Sequence, residues 1–140
     1  VGELYGYKYN TIIERDHSAL IIWSGCIEDM DLVVEEPVYS LDLLPTLSNL
    51  FGVEYDSRLL IGRDVFSDQE PLVLWPDYSW ITDKASYNAK TGEYREKEGE
   101  QLPAGYREYI DALVTNKISY CNSVMNLNYF NTLAEVLGRK

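Results

Sequence analysis

Arg15-Asp16-His17-Ser18 sets the one histidine of the chain between a carboxylate and a hydroxyl, groups that serve both nucleophilic catalysis and metal binding. Adjacent residues cannot bring Oγ, imidazole and carboxylate into line, so this segment forms no triad by itself. A metal would need further ligands from elsewhere. The pair also stands before an apolar run, whereas open α/β sheets gather their chemistry at the C-terminal ends of strands. It therefore reads as a polar strand entry, and no catalytic or metal-ligating residue is assigned in this chain. The carboxylate pairs Glu28-Asp29 and Glu35-Glu36 are sequence neighbours, which rarely face one site, and read as solvated. Cys26 and Cys121 have no C-x-x-C spacing, and with His17 they fall short of the about four ligands of a zinc site. They are two ordinary thiols or one disulfide. No Gly-rich phosphate loop, G-x-S-x-G elbow or H-E-x-x-H occurs. One segment remains. Trp75, Tyr78 and Trp80, with the hydroxyls of Ser79 and Thr82, are suited to hold a glycerol or sugar moiety by stacking and hydrogen bonding. These five are the candidate substrate-binding residues; the alternative is that the tryptophans seal a core.

The elements that must position them follow from pattern. With 140 residues, 46% hydrophobic and 13% aromatic, the chain can bury a core. Twelve Lys and Arg against 23 Asp and Glu give a net charge of −11, which argues against nucleic acid as a partner. Its apolar runs are far shorter than the roughly 20 residues of a membrane helix. Val1 opens without a Met, a basic n-region or an apolar h-region, as expected of a processed or excised piece. Val1 to Asn10, with Tyr5, Tyr7 and Tyr9, reads as a surface-packed loop or frayed helix end. Ala19 to Trp23 reads as a strand buried on both faces of a parallel sheet, whose partner strands would lie in sequence outside this chain. Its apolar edge, Ile21 to Trp23, would then favour self-association. Leu32-Val33-Val34 reads as a second short strand or extended link.

A helix is expected over Asp42 to Phe51. Asp42 would cap its amides, Pro45 falls in the first turn, Leu44, Leu47, Leu50 and Phe51 form a buried face, and Gly52 ends it. Gly62-Arg63-Asp64 predicts a turn. Leu72 to Trp75, Tyr78 to Thr82 and Tyr87 to Tyr94 predict strands, the last a hairpin turning at Lys90-Thr91-Gly92. Glu93 to Gln101 reads as a solvated loop. Helical spacing then covers Tyr106 to Met125 and about Tyr129 to Leu137.

Three segments in order carry a resemblance: Ser18 to Trp23, then Asp42-Leu43-Leu44-Pro45-Thr46-Leu47 running into Phe51-Gly52, then Gly62-Arg63-Asp64-Val65-Phe66. This order resembles the C-terminal part of the sulfatase-like domain of the alkaline phosphatase superfamily, D-x-x-P-T-L being its most specific element. Ser79 to Asp83 followed by Tyr87 to Glu93 looks like the lipoteichoic acid synthase branch. The resemblance spans about residues 12 to 130. It implies a parent enzyme at the extracellular face of the membrane, anchored through a segment absent from this chain. That enzyme would use a Thr nucleophile and a divalent metal, manganese or magnesium, to transfer glycerol phosphate from phosphatidylglycerol to a polymer. The Asp16-His17 pair is not the family's metal motif. Sulfatases and phosphoethanolamine transferases share the architecture, so sulfate or phosphate ester hydrolysis stays open.

The expectation is thus an α/β chain: residues 1–66 the C-terminal part of a sulfatase-like core, residues 67–140 a small antiparallel sheet with flanking helices. It would be catalytically incomplete by itself, without a cofactor of its own. Its partners would be the remainder of its catalytic domain and, in the parent, a lipid or polymer substrate. The rival reading is a non-catalytic extracellular binding or interaction module.

Overall fold

In this computed structural model, residues 16–25 and 32–138 are described. They fall into two compact units, Val1–Glu35 and Glu36–Lys140.

Alternating side chains and turn residues build the sheet of the second unit. Val73–Leu74 (β1), Trp80–Ile81 (β2), Ala85–Asn88 (β3) and Glu93–Glu96 (β4) pair antiparallel in the order β1-β2-β3-β4. The register sets Leu74 opposite Trp80, Trp80 opposite Tyr87 and Tyr87 opposite Tyr94. Side chains alternate across a strand, so these four form one row on one face. Gly92, at φ +71°, closes the β3–β4 turn as expected. The expected solvated loop from Glu93 is instead an exposed strand as far as Glu96, because its backbone completes the hairpin.

A long helix, Tyr106–Asn126 (α2), packs its Tyr106, Ile110 and Val114 stripe with Trp80 and Ala85 to form the buried core. Leu72, Leu74, Tyr87, Tyr94, Leu102 and Ile118 pack around it. Arg107, on the same helix, lies 4.4 Å from the Tyr87 ring centroid and 5.7 Å from that of Tyr94. A last helix, Tyr129–Val136 (α3), follows a left-handed Asn128. Both helices match the expected spans.

The first helix departs from expectation in its facing. A 3-10 turn, Ser40–Asp42, leads into Leu43–Leu50 (α1), and Gly52 at φ +63° ends it, with Val53 N bonded back to Ser48 O at 2.8 Å. Of the expected apolar face, Leu44 (59% accessible), Leu50 and Phe51 (78%) are exposed and only Leu47 is half-buried. Buried instead are Pro45, Thr46 and Ser48, and Asp42 just ahead of them. Asp42 makes no side-chain bond to the helix amides, because its carboxylate is engaged elsewhere, as described below.

Ala19 to Trp23 forms no strand, and Trp23 is 85% exposed. A strand exists only through ladder bonds to a neighbour, and no described segment pairs with this one. Leu32-Val33-Val34 likewise carries no strand. The tyrosines expected in a loop at residues 1–10 lie outside the described residues.

Candidate functional site

Two short turns at opposite ends of β2 carry Trp75, Tyr78 and Ser79 on one side and Thr82 on the other, with Trp80 on the strand between them, and their side chains divide sharply. Trp80 is 0% exposed. Its ring sits 6.2 Å from that of Tyr87 and 6.1 Å from that of Tyr94, and its indole Nε1 donates to Asp111 Oδ1 at 2.7 Å. Ser79 is equally buried; its Oγ accepts from Ala89 N at 3.0 Å, tying the β3–β4 turn to the β1–β2 turn. Thr82 Oγ1 accepts from Ala85 N at 3.0 Å and from Tyr106 Oη at 3.0 Å, and donates to Ala85 O at 3.2 Å. Those three side chains hold the β-turns and the helix together. Their polar atoms already have partners within the chain, which is what burial requires.

Trp75 and Tyr78 are placed differently. Trp75 is half-buried and opens the turn, with its N–H on Ser79 O at 2.9 Å. Tyr78 projects from the turn, exposed, with its backbone at φ +68°. Asp77 and Lys90 stand beside it, 3.9 Å apart between Oδ2 and Nζ. Neither carried a sequence signal, because their proximity depends on two turns meeting. Arg107 and Asp111 did carry one: they lie four residues apart on a helix, and their side chains approach to 3.5 Å.

A second cluster lies where α1 meets the turn after Ile61. Asp42 Oδ1 accepts from Arg63 N at 2.8 Å, and Oδ2 from Tyr39 N at 3.2 Å. Thr46 Oγ1 donates to Asp42 O at 2.6 Å and accepts from Val65 N at 3.1 Å. The turn approaches so closely that a Cβ on Gly62 would lie 2.0 Å from Leu41 O, a distance no side chain tolerates. Arg63, buried, reaches Glu36 Oε2 at 2.7 Å. Lys117 of α2 donates to Ile61 O at 2.6 Å, and burial pulls its ammonium below the usual lysine range. Asp42, Arg63, Glu70 and Lys117 line a cavity of about 30 Å³, room for one water and not for an organic ligand. The larger hollow, about 530 Å³, is lined by Asn49, Gly52, Val53, Glu54 and Tyr55, with no nucleophile beside a base.

His17 is exposed, and among the described residues no three His, Cys, Asp or Glu side chains converge on a metal-sized site. Cys121 is a free thiol; Cys26 and the Glu28-Asp29 pair lie outside the described residues. Among the described residues no helix is long and apolar enough to cross a membrane. No protein-family model, curated protein or solved structure matches the chain.

Proposed function

We propose that this chain is the C-terminal part of a sulfatase-like enzyme of the lipoteichoic acid synthase branch. The parent would be a metal-dependent phosphoglycerol transferase acting at the extracellular face of the membrane. The observation that carries this reading is the bonding of Asp42 and Thr46 to the turn at Gly62. The two segments that carry the resemblance, D-x-x-P-T-L and G-R-D-V-F, are 15 residues apart between Leu47 and Gly62 and hold one another through the first and fifth residues of the former. An Asp, a Thr and a Gly in these positions thus have a physical reason beyond helix capping. The exposed Leu44 and Leu50 of α1, with Phe51 at its C-terminal end, support it further, since a helix with an apolar outer face suits burial against the remainder of a catalytic domain. Among the described residues no cluster of ligands fits the divalent ion that the reading implies, and the remainder of the catalytic domain would hold it. What this chain contributes is a rigid wall beside the reaction centre.

The test is diacylglycerol release from fluorescent phosphatidylglycerol with manganese, by the protein that carries this chain at its C-terminus. Release is expected there and not from residues 1–140 alone. Gly62→Ala should abolish it by unfolding this wall, at a cost on the order of 3 kcal/mol in urea melts. A parent protein that releases no diacylglycerol overturns the transferase assignment, and hydrolysis of an aryl sulfate in its place would move it to the sulfatase side.

A further inference from the structure

From Ile118 to Ala134 the chain has no Asp, Glu, Lys, Arg or His, although 25% of all its residues are Asp, Glu, Lys or Arg. Surfaces that face only water carry interspersed charge. This uncharged stretch is nevertheless exposed: Met125, Leu127 and Phe130 are 77%, 74% and 61% accessible, and Tyr120 and Tyr129 are partly so. Tyr129 and Phe130 meet edge to face, with ring centroids 5.5 Å apart. Four of these five side chains crowd the corner where α2 turns into α3. The backbone of the corner is closed upon itself. Leu127 N donates to Ser123 O at 3.0 Å and Asn128 N to Met125 O at 3.2 Å, while Asn128 O accepts from Asn131 N at 3.1 Å and Thr132 N at 3.2 Å. Asn128 makes the turn at φ +51°, a left-handed conformation that asparagine tolerates. A tight, uncharged protrusion of aromatic and aliphatic side chains, its turn amides bonded internally, has the properties that entry into a bilayer interface demands.

The distribution of charge says what covers it. The apolar side chains of α1 have charged neighbours, since Asp64 is bonded to Asn49 at 2.7 Å and Glu54 follows Val53, a rim fit for a protein partner. The corner lies in a different setting. All but one of the 23 acidic residues precede Ala112; beyond it Glu135 is set against Lys117, Arg139 and Lys140, so this end is net positive in a chain of net charge −11. Lys117 is turned inward onto Ile61 O at 2.6 Å. Arg58, which acts electrostatically on Tyr120 and Tyr129, is paired with Asp56 at 2.6 Å. Charge is costly to carry into hydrocarbon, and an acidic body is repelled by anionic headgroups. The corner meets both demands: it brings no charge to the acyl boundary, and the carboxylates of the chain are held away from it. Tyrosines beside aliphatic side chains suit the headgroup level, where a ring is half in water.

We propose that the α2–α3 corner docks on the surface of a lipid bilayer, with Met125, Leu127 and Phe130 entering the acyl boundary, Tyr120 and Tyr129 at headgroup level and the acidic remainder in water. On the transferase reading this would hold the wall formed by this chain at the membrane that carries the lipid donor. The docking itself does not rest on that reading.

Cosedimentation of the 140-residue chain with vesicles tests it, the vesicles being pure phosphatidylcholine or an equal mixture of phosphatidylcholine and phosphatidylglycerol. At about 0.1 M salt the Debye length of about 10 Å confines the electrostatic effect to the residues nearest the corner. The chain should pellet with both vesicles, and more tightly with the mixture despite its net charge of −11. Phe130→Asp should weaken binding by about tenfold or more and leave Tm within about 2 °C, because the ring it removes is exposed. Leu44→Asp, on the apolar face of α1, should bind as the parent does. A chain that stays in solution with the mixed vesicles would overturn the proposal. So would tighter binding to pure phosphatidylcholine, undiminished binding by Phe130→Asp, or an equal loss in Leu44→Asp. A fall of several degrees in the Tm of Phe130→Asp, or a lipid-free dimer that this variant abolishes, would give the corner to the fold or to a second copy and overturn it as well. Absence of transferase activity in the parent leaves vesicle binding unaffected, so the two readings fail separately.

Discussion

Asp42 shows how far a residue's role can differ from its sequence context. Its position before Leu43-Leu44-Pro45 is that of a helix cap, yet its carboxylate serves the amides of Tyr39 and Arg63. Burial raises its pKa above the usual aspartate value, against the lowering effect of the Arg63 and Tyr39 amides and the charges of Arg63 and Lys117. A carboxyl whose folded pKa lies above its unfolded one binds its proton more tightly in the fold. Its contribution is therefore full below the unfolded value of about 3.9 and declines as pH rises through the folded value. Asn at this position keeps an acceptor oxygen and carries no proton equilibrium. The cost of Asp42→Asn in urea melts should accordingly be largest near pH 3.5 and shrink toward about pH 7. A cost that grows with pH would mean that the ionised carboxylate is the favoured form. The same gap between context and role separates Ser79, Trp80 and Thr82 from Tyr78. Their types suggested a site, but which of their polar atoms were already engaged depended on Ala89, Asp111 and Tyr106, from 10 to 31 residues away.

At the scale of elements, periodicity was informative wherever an element meets its neighbours within the chain. The strands around Val73, Trp80 and Tyr87, the turn at Gly92 and both C-terminal helices stand where alternation and helical spacing put them. The signal misled where an apolar run implied burial. Ala19 to Trp23 has no ladder partner among the described residues, and the apolar stripe of α1 faces outward while Thr46 and Ser48 face in. Hydrophobic spacing marks which face of a helix is suited to burial; it does not say what covers it. The contrast is measurable. Ile110→Ala, in the core between α2 and the sheet, should cost about 2–5 kcal/mol. Leu44→Ala, largely exposed, should stay within about 1 kcal/mol in the same chain. Equal losses in thermal melts would show that α1 buries its apolar stripe in solution.

The whole molecule combines a strong negative charge with exposed apolar side chains, among them Leu44, Leu50, Phe51 and Val53 around α1 and Phe130, Val136 and Leu137 around α3. The two features oppose one another, since like charge holds copies apart while apolar surface draws them together. Salt screens the first and leaves the second. Sedimentation at about 0.5 M NaCl should therefore give a higher average mass than at about 0.02 M, where the Debye length exceeds the range of contact. A monomer at both concentrations would count against self-association. The sheet bears on the form such assemblies take. Its two outer strands are β1, two residues long, and β4, whose Glu93, Arg95 and Glu96 side chains are exposed. A short margin on one side and a charged one on the other make poor templates for a further chain to lengthen the sheet. Among the described strands, neither margin of this sheet offers a ready starting edge for growth into cross-β fibrils.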